Sequence, residues 1–312
     1  MGLYSITIKP KVLIIPPFLS KGDKIAIVSP AGTIAPEKID FAKTTLQKLG
    51  FDAIVGKHAK SKHFQYAGTD KERTADFQNA LNDKHIKAIF CARGGYGSAR
   101  IIDMVDWSVL QSKPKWIVGY SDITAIHSTV NKLGIASIHG TMPVNYTQNK
   151  KDENLLKLLN VLMGTPIHYT FKKSNLCSIN KLEAEITGGN LSVLYSIRGT
   201  KIDAKLKDKI LFIEDLNEYL YHLDRMLMNF ALGDIFSNIK GLIVGGMTDM
   251  KDNNDPYGQT AQEIIASHTH KHKIPVCFNF PSGHQEINMP FILGNNCKIE
   301  TTGLSYTFRQ NY

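Results

Sequence analysis

The sequence predicts an α/β protein: a doubly wound parallel sheet in the N-terminal part and a mixed second domain after it. Three observations carry this. Short apolar, β-prone runs alternate with helical stretches from Lys24 to His139, the pattern of successive right-handed βαβ crossovers. A polar stretch at 146–154 (YTQNKKDEN) then breaks the alternation, as a linker does. Beyond it, short strand-like runs recur without strict alternation of apolar and polar residues, which fits a mixed sheet.

Taken in order, residues 24–29 (KIAIVS) read as a buried first strand. Pro30, Ala31 and Gly32 turn the chain. Pro36 fits the first turn of a helix to about Leu49, with Gly50 past its end. Residues 51–55 form a second strand. Thr69 and Glu72 make a capping box that opens a helix to about Leu81. Residues 86–91, 116–119 and 135–139 supply the third, fourth and fifth strands. Between the last two, Ile123, Ile126, Val130 and Leu133 line one helix face. A helix around 155–163 closes the linker. Strands are then expected at 181–187, 209–213 (KILFI), 241–246 and 274–278. Helices are expected at 191–197 and along Leu220, Leu223, Leu227 and Phe230. The divisions are a lead over 1–23, a first domain over 24–145, a linker over 146–164 and a second domain over 165–312.

Composition narrows the function classes. The 312 residues are 43% hydrophobic and 21% charged, the balance of a soluble globular protein rather than a disordered one. No apolar run reaches the length of a membrane span. The apolar patch at 12–15 is bounded by prolines and lacks a signal-peptide core, so a cytoplasmic protein is expected. The net charge of +9 comes from scattered lysines without a basic run interleaved with aromatics, which argues against nucleic acid and leaves only a mild bias towards anionic ligands. Cys91, Cys177, Cys277 and Cys297 are far apart, and buried free thiols are expected. His268, His270 and His272 lack an accompanying carboxylate or cysteine at ligand spacing and read as a solvated helix end. Asp249, Asp252 and Asp255 lack the glycine and terminal glutamate of a calcium loop and read as a polar loop. No cofactor or metal is implied.

The chemistry concentrates in KWIVGYSDITAIH, residues 115–127. Ser121 sits where the fourth strand gives way to a helix, at the mouth of an α/β sheet where ligands bind. Free helix N–H groups and the macrodipole there favour a developing negative charge. The same serine could simply be an N-cap. Gly94, Gly95 and Gly97, in ARGGYGSAR after the third strand, miss the spacing of a nucleotide loop; they could bring backbone N–H groups towards the Ser121 hydroxyl or form a plain turn. A serine nucleophile needs a base, and the base an orienter. His284, in PSGHQ directly after a strand, is the candidate base. Glu214, at the end of KILFI, is the candidate orienter, with Asp215 and Glu218 competing.

Taken together, RGGYGSAR at 93–100, GYSDIT at 119–124, GGNLSVL at 188–194, the IEDLNE and LDRML elements between Ile213 and Leu227, and SGH at 282–284 resemble the LD-carboxypeptidase family of serine peptidases. That family includes muramoyltetrapeptide carboxypeptidases and microcin C immunity peptidases. The resemblance spans roughly Lys24 to the C-terminus. It implies a Rossmann-like (flavodoxin-like) N-terminal domain, a β-rich C-terminal domain and an active site between them. It also implies a Ser121–Glu214–His284 triad, an oxyanion hole from the N–H groups of Gly95 and Asp122, and a homodimer. The expected activity is release of the terminal D-Ala from cytoplasmic murein tetrapeptides. Cleavage of aminoacyl-nucleotide amides is the alternative, and a peptide-binding module that does not cleave is the second. A substrate ending in a carboxylate needs a partner for it, for which Arg93 is the first candidate and Asn190 the second.

Overall fold

The computed structural model describes residues 13–147 and 152–312. Its first half runs β1 (Lys24–Val28), α1 (Pro36–Lys48), β2 (Asp52–Val55), α2 (Asp70–Asn82), β3 (Ile86–Cys91), α3 (Ser98–Ile101), α4 (Val109–Ser112), β4 (Trp116–Gly119), α5 (Thr124–Lys132) and β5 (Ser137–His139). These strands pair in the order β2–β1–β3–β4–β5, all parallel. This is the flavodoxin-like order, and its switch point lies between β1 and β3, where ligands gather in open α/β sheets. The capping box at Thr69 and Glu72 opens α2 as expected. The fifth strand is shorter than expected because Ile135 bridges instead to Ile14 of the lead.

Residues 1–12 of the lead and 148–151 of the expected linker lie outside the described residues. The rest of the lead is extended and pinned. The Trp116 indole N–H donates to the Pro17 carbonyl (3.0 Å), and the Phe18 ring stacks 5.9 Å from the Trp116 ring.

The second half runs α6 (Glu153–Leu162), β6 (Ile167–Lys172), β7 (Lys181–Asn190), α7 (Leu191–Ser196), β8 (Ile210–Leu216), α8 (Leu220–Leu232), α9 (Ile235–Asn238), β9 (Gly241–Thr248), α10 (Ala261–Lys271), β10 (Val276–Cys277), β11 (Phe291–Leu293), β12 (Asn296–Thr302) and β13 (Ser305–Gln310). Seven strands form a mixed sheet in the order β10–β9–β8–β7–β12–β13–β6. Its β10–β9–β8–β7 part is parallel and its β7–β12–β13–β6 part antiparallel. The sequence reading found the parallel strands and missed β6, β11, β12 and β13. KILFI continues as strand through Glu214 and Asp215, and the β8–β9 register slips between Ile213 and Asp215.

One strand crosses between the halves. β11 pairs antiparallel with β5 and forms the far edge of the first sheet. A shared core joins the sheets: Trp116 and Ile138 from the first pack in one cluster with Phe212, Phe280, Phe291 and Phe308. Each such fully buried aromatic contributes roughly 1.5–3 kcal/mol relative to exposure. Cys91, Cys277 and Cys297 are buried free thiols as expected, whereas Cys177 is only half-buried. His268 corrects the solvated-helix reading: it is buried and its Nε2 lies 2.7 Å from Asp224 of α8. Asp252 caps its own loop through the N–H groups of Asn253 and Tyr257, a polar loop as expected.

Candidate active site

A cavity of about 560 Å³ opens where the carboxyl ends of parallel strands from both sheets meet. Arg93, Gly94 and Gly95 follow β3, Ser121 and Asp122 follow β4, Asn190 ends β7, Asp215 lies on β8, and His284 comes from the loop after β10.

Ser121 does not cap a helix. After extended Tyr120 it takes a left-handed conformation (φ +63°), opens a turn of 3₁₀-helix and makes no side-chain cap bond. A non-glycine residue held there costs of order 1 kcal/mol or more, and such strain persists only where the surroundings enforce it. The Ser121 hydroxyl has no hydrogen-bond partner among the described residues and faces the cavity. Gly94 is required beside it: a Cβ there would lie 2.8 Å from Ser121 Cβ and 3.0 Å from Oγ. Gly95 (φ +92°) follows, and its N–H has no acceptor among the described residues.

The glycine loop is locked at both ends. Gly32 N–H donates to the Gly94 carbonyl (2.9 Å) at the switch point. At the other end, the Ser98 N–H donates to Asp122 Oδ2 (2.8 Å) and the Ser98 hydroxyl to the Asp122 carbonyl (2.6 Å). Buried Arg73 donates to the carbonyls of Gly97 (2.8 Å) and Pro30 (2.5 Å) and pairs with Asp70. Burial pushes the Asp122 carboxyl above its ordinary pKa, against the Ser98 hydrogen bonds that lower it.

Glu214 is fully buried, and its Oε2 accepts both the His284 Nδ1–H (2.6 Å) and the His284 backbone N–H (3.1 Å). Nδ1 as donor leaves Nε2 as the acceptor nitrogen. Gly283 (φ +108°) permits this approach, since a Cβ there would sit 2.7 Å from Glu214 Cβ. The Asn288 side-chain oxygen holds the loop by accepting the Gly283 N–H (3.0 Å). Burial disfavours the His284 imidazolium, but the hydrogen bond to Glu214 and the charges of Glu214 and Asp215 outweigh it and raise the pKa. The Tyr120 ring packs 4.9 Å from the imidazole.

On the opposite wall, Asp215 accepts from Asn190 Nδ2 (2.9 Å), the Ser192 N–H (2.9 Å) and the Ser192 hydroxyl (2.7 Å). Burial raises its carboxyl pKa to about 6 despite these bonds. Ser192 Oγ also lies 2.9 Å from Glu218 Oε1, and Glu218 Oε2 is 2.7 Å from His222 Nδ1. The three acidic candidates thus separate: Glu214 meets the histidine, while Asp215 and Glu218 meet Ser192. Arg93 donates to the Thr33 carbonyl (2.7 Å) and makes no ion pair among the described residues. Asn190 caps α7 and, among the described residues, keeps one amide N–H uncommitted.

Ser121, Asp122, Gly95, Arg93, Asn190 and His284 therefore line one cavity, with Glu214 directly behind His284. Sequence reasoning missed Tyr120, Ser98, Arg73 and Ser192. Only Ser192 carried a signal, as a hydroxyl two residues past Asn190. Among the described residues no cluster of three or more ligand-type side chains could hold a metal.

Residues 25–140 match the LD-carboxypeptidase N-terminal domain and residues 183–299 the LD-carboxypeptidase C-terminal domain. The chain is 31% identical over 305 residues to a probable murein peptide carboxypeptidase of Bacillus subtilis, covering 96% of this chain and 94% of that one. It is 26% identical to the murein tetrapeptide carboxypeptidase of Pseudomonas aeruginosa, covering 91% and 95%. In fold it is similar to the muramoyltetrapeptide carboxypeptidase of Oxalobacter formigenes, with a TM-score of 0.85 at 23% identity over 93% of this chain and 99% of that one. It is equally similar to the microcin C7 self-immunity protein MccF in complex with aspartyl sulfamoyl adenosine, with a TM-score of 0.85 at 23% identity over 97% and 99%. This chain belongs to the LD-carboxypeptidase family and is a serine-type carboxypeptidase.

Proposed function

We propose that Ser121, His284 and Glu214 act as a catalytic triad that releases the terminal D-Ala of murein tetrapeptides during peptidoglycan recycling. The observation that carries this reading is the buried Glu214–His284 pair beside the cavity lined by Ser121, whose backbone is held left-handed and whose hydroxyl has no partner among the described residues. Ser121 Oγ attacks the carbonyl carbon of the last peptide bond, and His284 Nε2 takes its proton. The oxyanion forms against the N–H groups of Gly95 and Asp122. His284 returns the proton to the leaving D-Ala nitrogen, and the resulting ester is hydrolysed by water through the same steps reversed. Glu214 holds the imidazole tautomer and stabilises its charge. Arg93, with no carboxylate partner among the described residues, is placed to receive the substrate's terminal carboxylate, and Asn190 has one N–H to add.

The same reading puts the enzyme in the cytoplasm, where such peptides are recycled. No described helix is long and apolar enough to cross a membrane. It also makes the enzyme a homodimer, for which the exposed Tyr221, Met228 and Leu232 of α8 offer an apolar face.

Ser121→Ala is expected to lower turnover of L-Ala-γ-D-Glu-meso-diaminopimelate-D-Ala by roughly three to six orders of magnitude, with an unchanged circular-dichroism spectrum. Cleavage at the wild-type rate would remove Ser121 as the nucleophile.

The MccF likeness supports a second reading, hydrolysis of an aminoacyl-nucleotide amide. Two features weigh against it. Tyr169 and Phe171, the aromatic residues between Met163 and Lys181, are packed on Phe308 and Phe280 rather than offered to a base. The carboxylates of Asp215 and Glu218 would also repel an acidic aminoacyl group of the kind in the MccF complex. Aminoacyl sulfamoyl adenosine assayed beside the tetrapeptide separates the two.

A further inference from the structure

Two of the four cysteines meet. Cys177 lies in the segment before β7 and Cys277 in β10, and the two stretches run side by side. The Ser178 N–H donates to the Val276 carbonyl (2.9 Å), and the Ser178 hydroxyl accepts the Val276 N–H (2.9 Å). This pairing brings both sulfurs to one residue, Phe278. Cys177 Sγ accepts the Phe278 N–H (3.2 Å), while the Cys277 thiol points at the Phe278 carbonyl (3.6 Å). The two thiols also hydrogen-bond to each other. That bond, aided by the Phe278 N–H, brings the Cys177 pKa down to about 6 against burial. Burial, and then the same bond, push the Cys277 thiol well above its ordinary value. The pair is therefore asymmetric, a thiolate beside a protonated thiol. Cys177 is half-buried between exposed Leu176 and Ser178, so a small solute reaches it, whereas Cys277 is enclosed. Neither lines the active-site cavity.

We propose that Cys177 and Cys277 are a peroxide-oxidisable pair whose reversible disulfide restrains the strand leading to His284 and lowers turnover. The Cys177 thiolate attacks one peroxide oxygen: an S–O bond forms, the O–O bond breaks, and the second oxygen leaves as hydroxide, which takes a proton to become water. The Cys277 sulfur then attacks the Cys177 sulfur. The S–S bond forms, the S–O bond breaks, and a second water leaves with the Cys277 proton. Two electrons pass from the sulfurs to the peroxide, and a thiol reductant reverses the change. Joining the sulfurs draws them from hydrogen-bonding contact to about 2.05 Å. β10 is only two residues long, with β9 on one side and Ser178 on the other. From it the chain runs to His284 through two backbone bonds, Phe280 N–H to the Val244 carbonyl (3.1 Å) and Gly246 N–H to the Ser282 carbonyl (3.0 Å). A displacement of β10 is thus handed along a short, tied run to the imidazole, where small misplacement is costly to rate. The effect on turnover rests on the reading of His284 as the base; the bridge itself does not.

The test treats the full-length protein with hydrogen peroxide and maps its disulfides by mass spectrometry of a digest. Tetrapeptide kcat/KM is measured before treatment, after it, and after dithiothreitol. A peptide linking Cys177 to Cys277 is expected, with a loss of about threefold or more in kcat/KM that dithiothreitol restores. Cys177→Ser, whose hydroxyl still accepts the Phe278 N–H, should keep wild-type turnover and keep it through the same treatment. If peroxide leaves both thiols free, or carries Cys177 to its sulfinic acid without a bridge, the proposal falls. A bridge that forms with kcat/KM unchanged also overturns it, since strand and imidazole are then uncoupled. An equal, dithiothreitol-reversible loss in Cys177→Ser and wild type overturns it by placing the sensitive group elsewhere. If the tetrapeptide is not cleaved at all, the hydrolase reading falls alone. The pair is then judged by the linked peptide and by the His284 imidazole signal in NMR: a shift on oxidation upholds it, and an unmoved signal overturns it.

Discussion

At Glu214 one carboxylate oxygen, Oε2, receives both the Nδ1–H and the backbone N–H of His284, while Oε1 lies buried without a partner among the described residues. The imidazole pKa is raised because these contacts with Glu214, and the Asp215 charge, outweigh burial. A general base must be neutral, so activity should be lost as pH falls through the His284 titration, and the midpoint should lie above the ordinary imidazole value of about 6.5. Glu214→Gln removes the charge and leaves burial acting more nearly alone. Its midpoint in a kcat/KM–pH profile should move down, and kcat should fall by roughly two to four orders of magnitude. An unmoved midpoint would separate Glu214 from the base. Glu214 was legible in the sequence because it sits near a strand end, where a side chain meets a ligand whatever the rest of the fold does, whereas His284 lies in the long loop that follows β10. The Ser192–Glu218 contact was not legible. It depends on β7 and β8 pairing in a register that sets Asn190 beside Glu214, which no local pattern encodes.

Among the elements, the segment after β4 and the glycine loop after β3 behave as one unit. Asp122 supplies a side-chain acceptor to the Ser98 N–H and a carbonyl to the Ser98 hydroxyl, so the residue following the proposed nucleophile also positions the loop that faces it. Asp122→Asn keeps the size and loses the charge-assisted bond. Loosening the loop by a fraction of an ångström is expected to cut kcat by about ten- to a hundredfold with little change in KM, because the loop's N–H groups matter most once the oxyanion forms. A change confined to KM would assign the loop to substrate binding instead. Legibility at this scale followed local chemistry. The capping box at Thr69 opens α2, and the same signature from Thr260 to Glu263, unread in the sequence, opens α10. The β12–β13 hairpin escaped notice because its turn, with Gly303 at φ +59°, is flanked by strands as polar as a loop, NCKIETT and SYTFRQ.

For the whole molecule, the decisive feature is the strand that joins the halves. The parallel sheet could be read from alternation alone, but nothing in residues 291–293 announces that β11 leaves the second half to pair with β5. An unpaired sheet edge is a template for other chains. A chain ending at residue 165 would expose the β5 edge together with the His139 ring, which Phe212 and Phe291 cover. It should elute from a size-exclusion column as oligomer or aggregate, and co-expression of residues 166–312 should restore a soluble complex. A monomeric fragment with a cooperative melt would show that the halves fold independently. The same strand sets an order of events at birth. As the chain leaves the ribosome, β5 emerges long before its partner is made, and at 5–20 residues per second the gap is on the order of ten seconds. Through that interval the nascent sheet holds an open edge in a crowded cell, which makes the middle of synthesis, rather than its end, the stage at which this protein most depends on a chaperone.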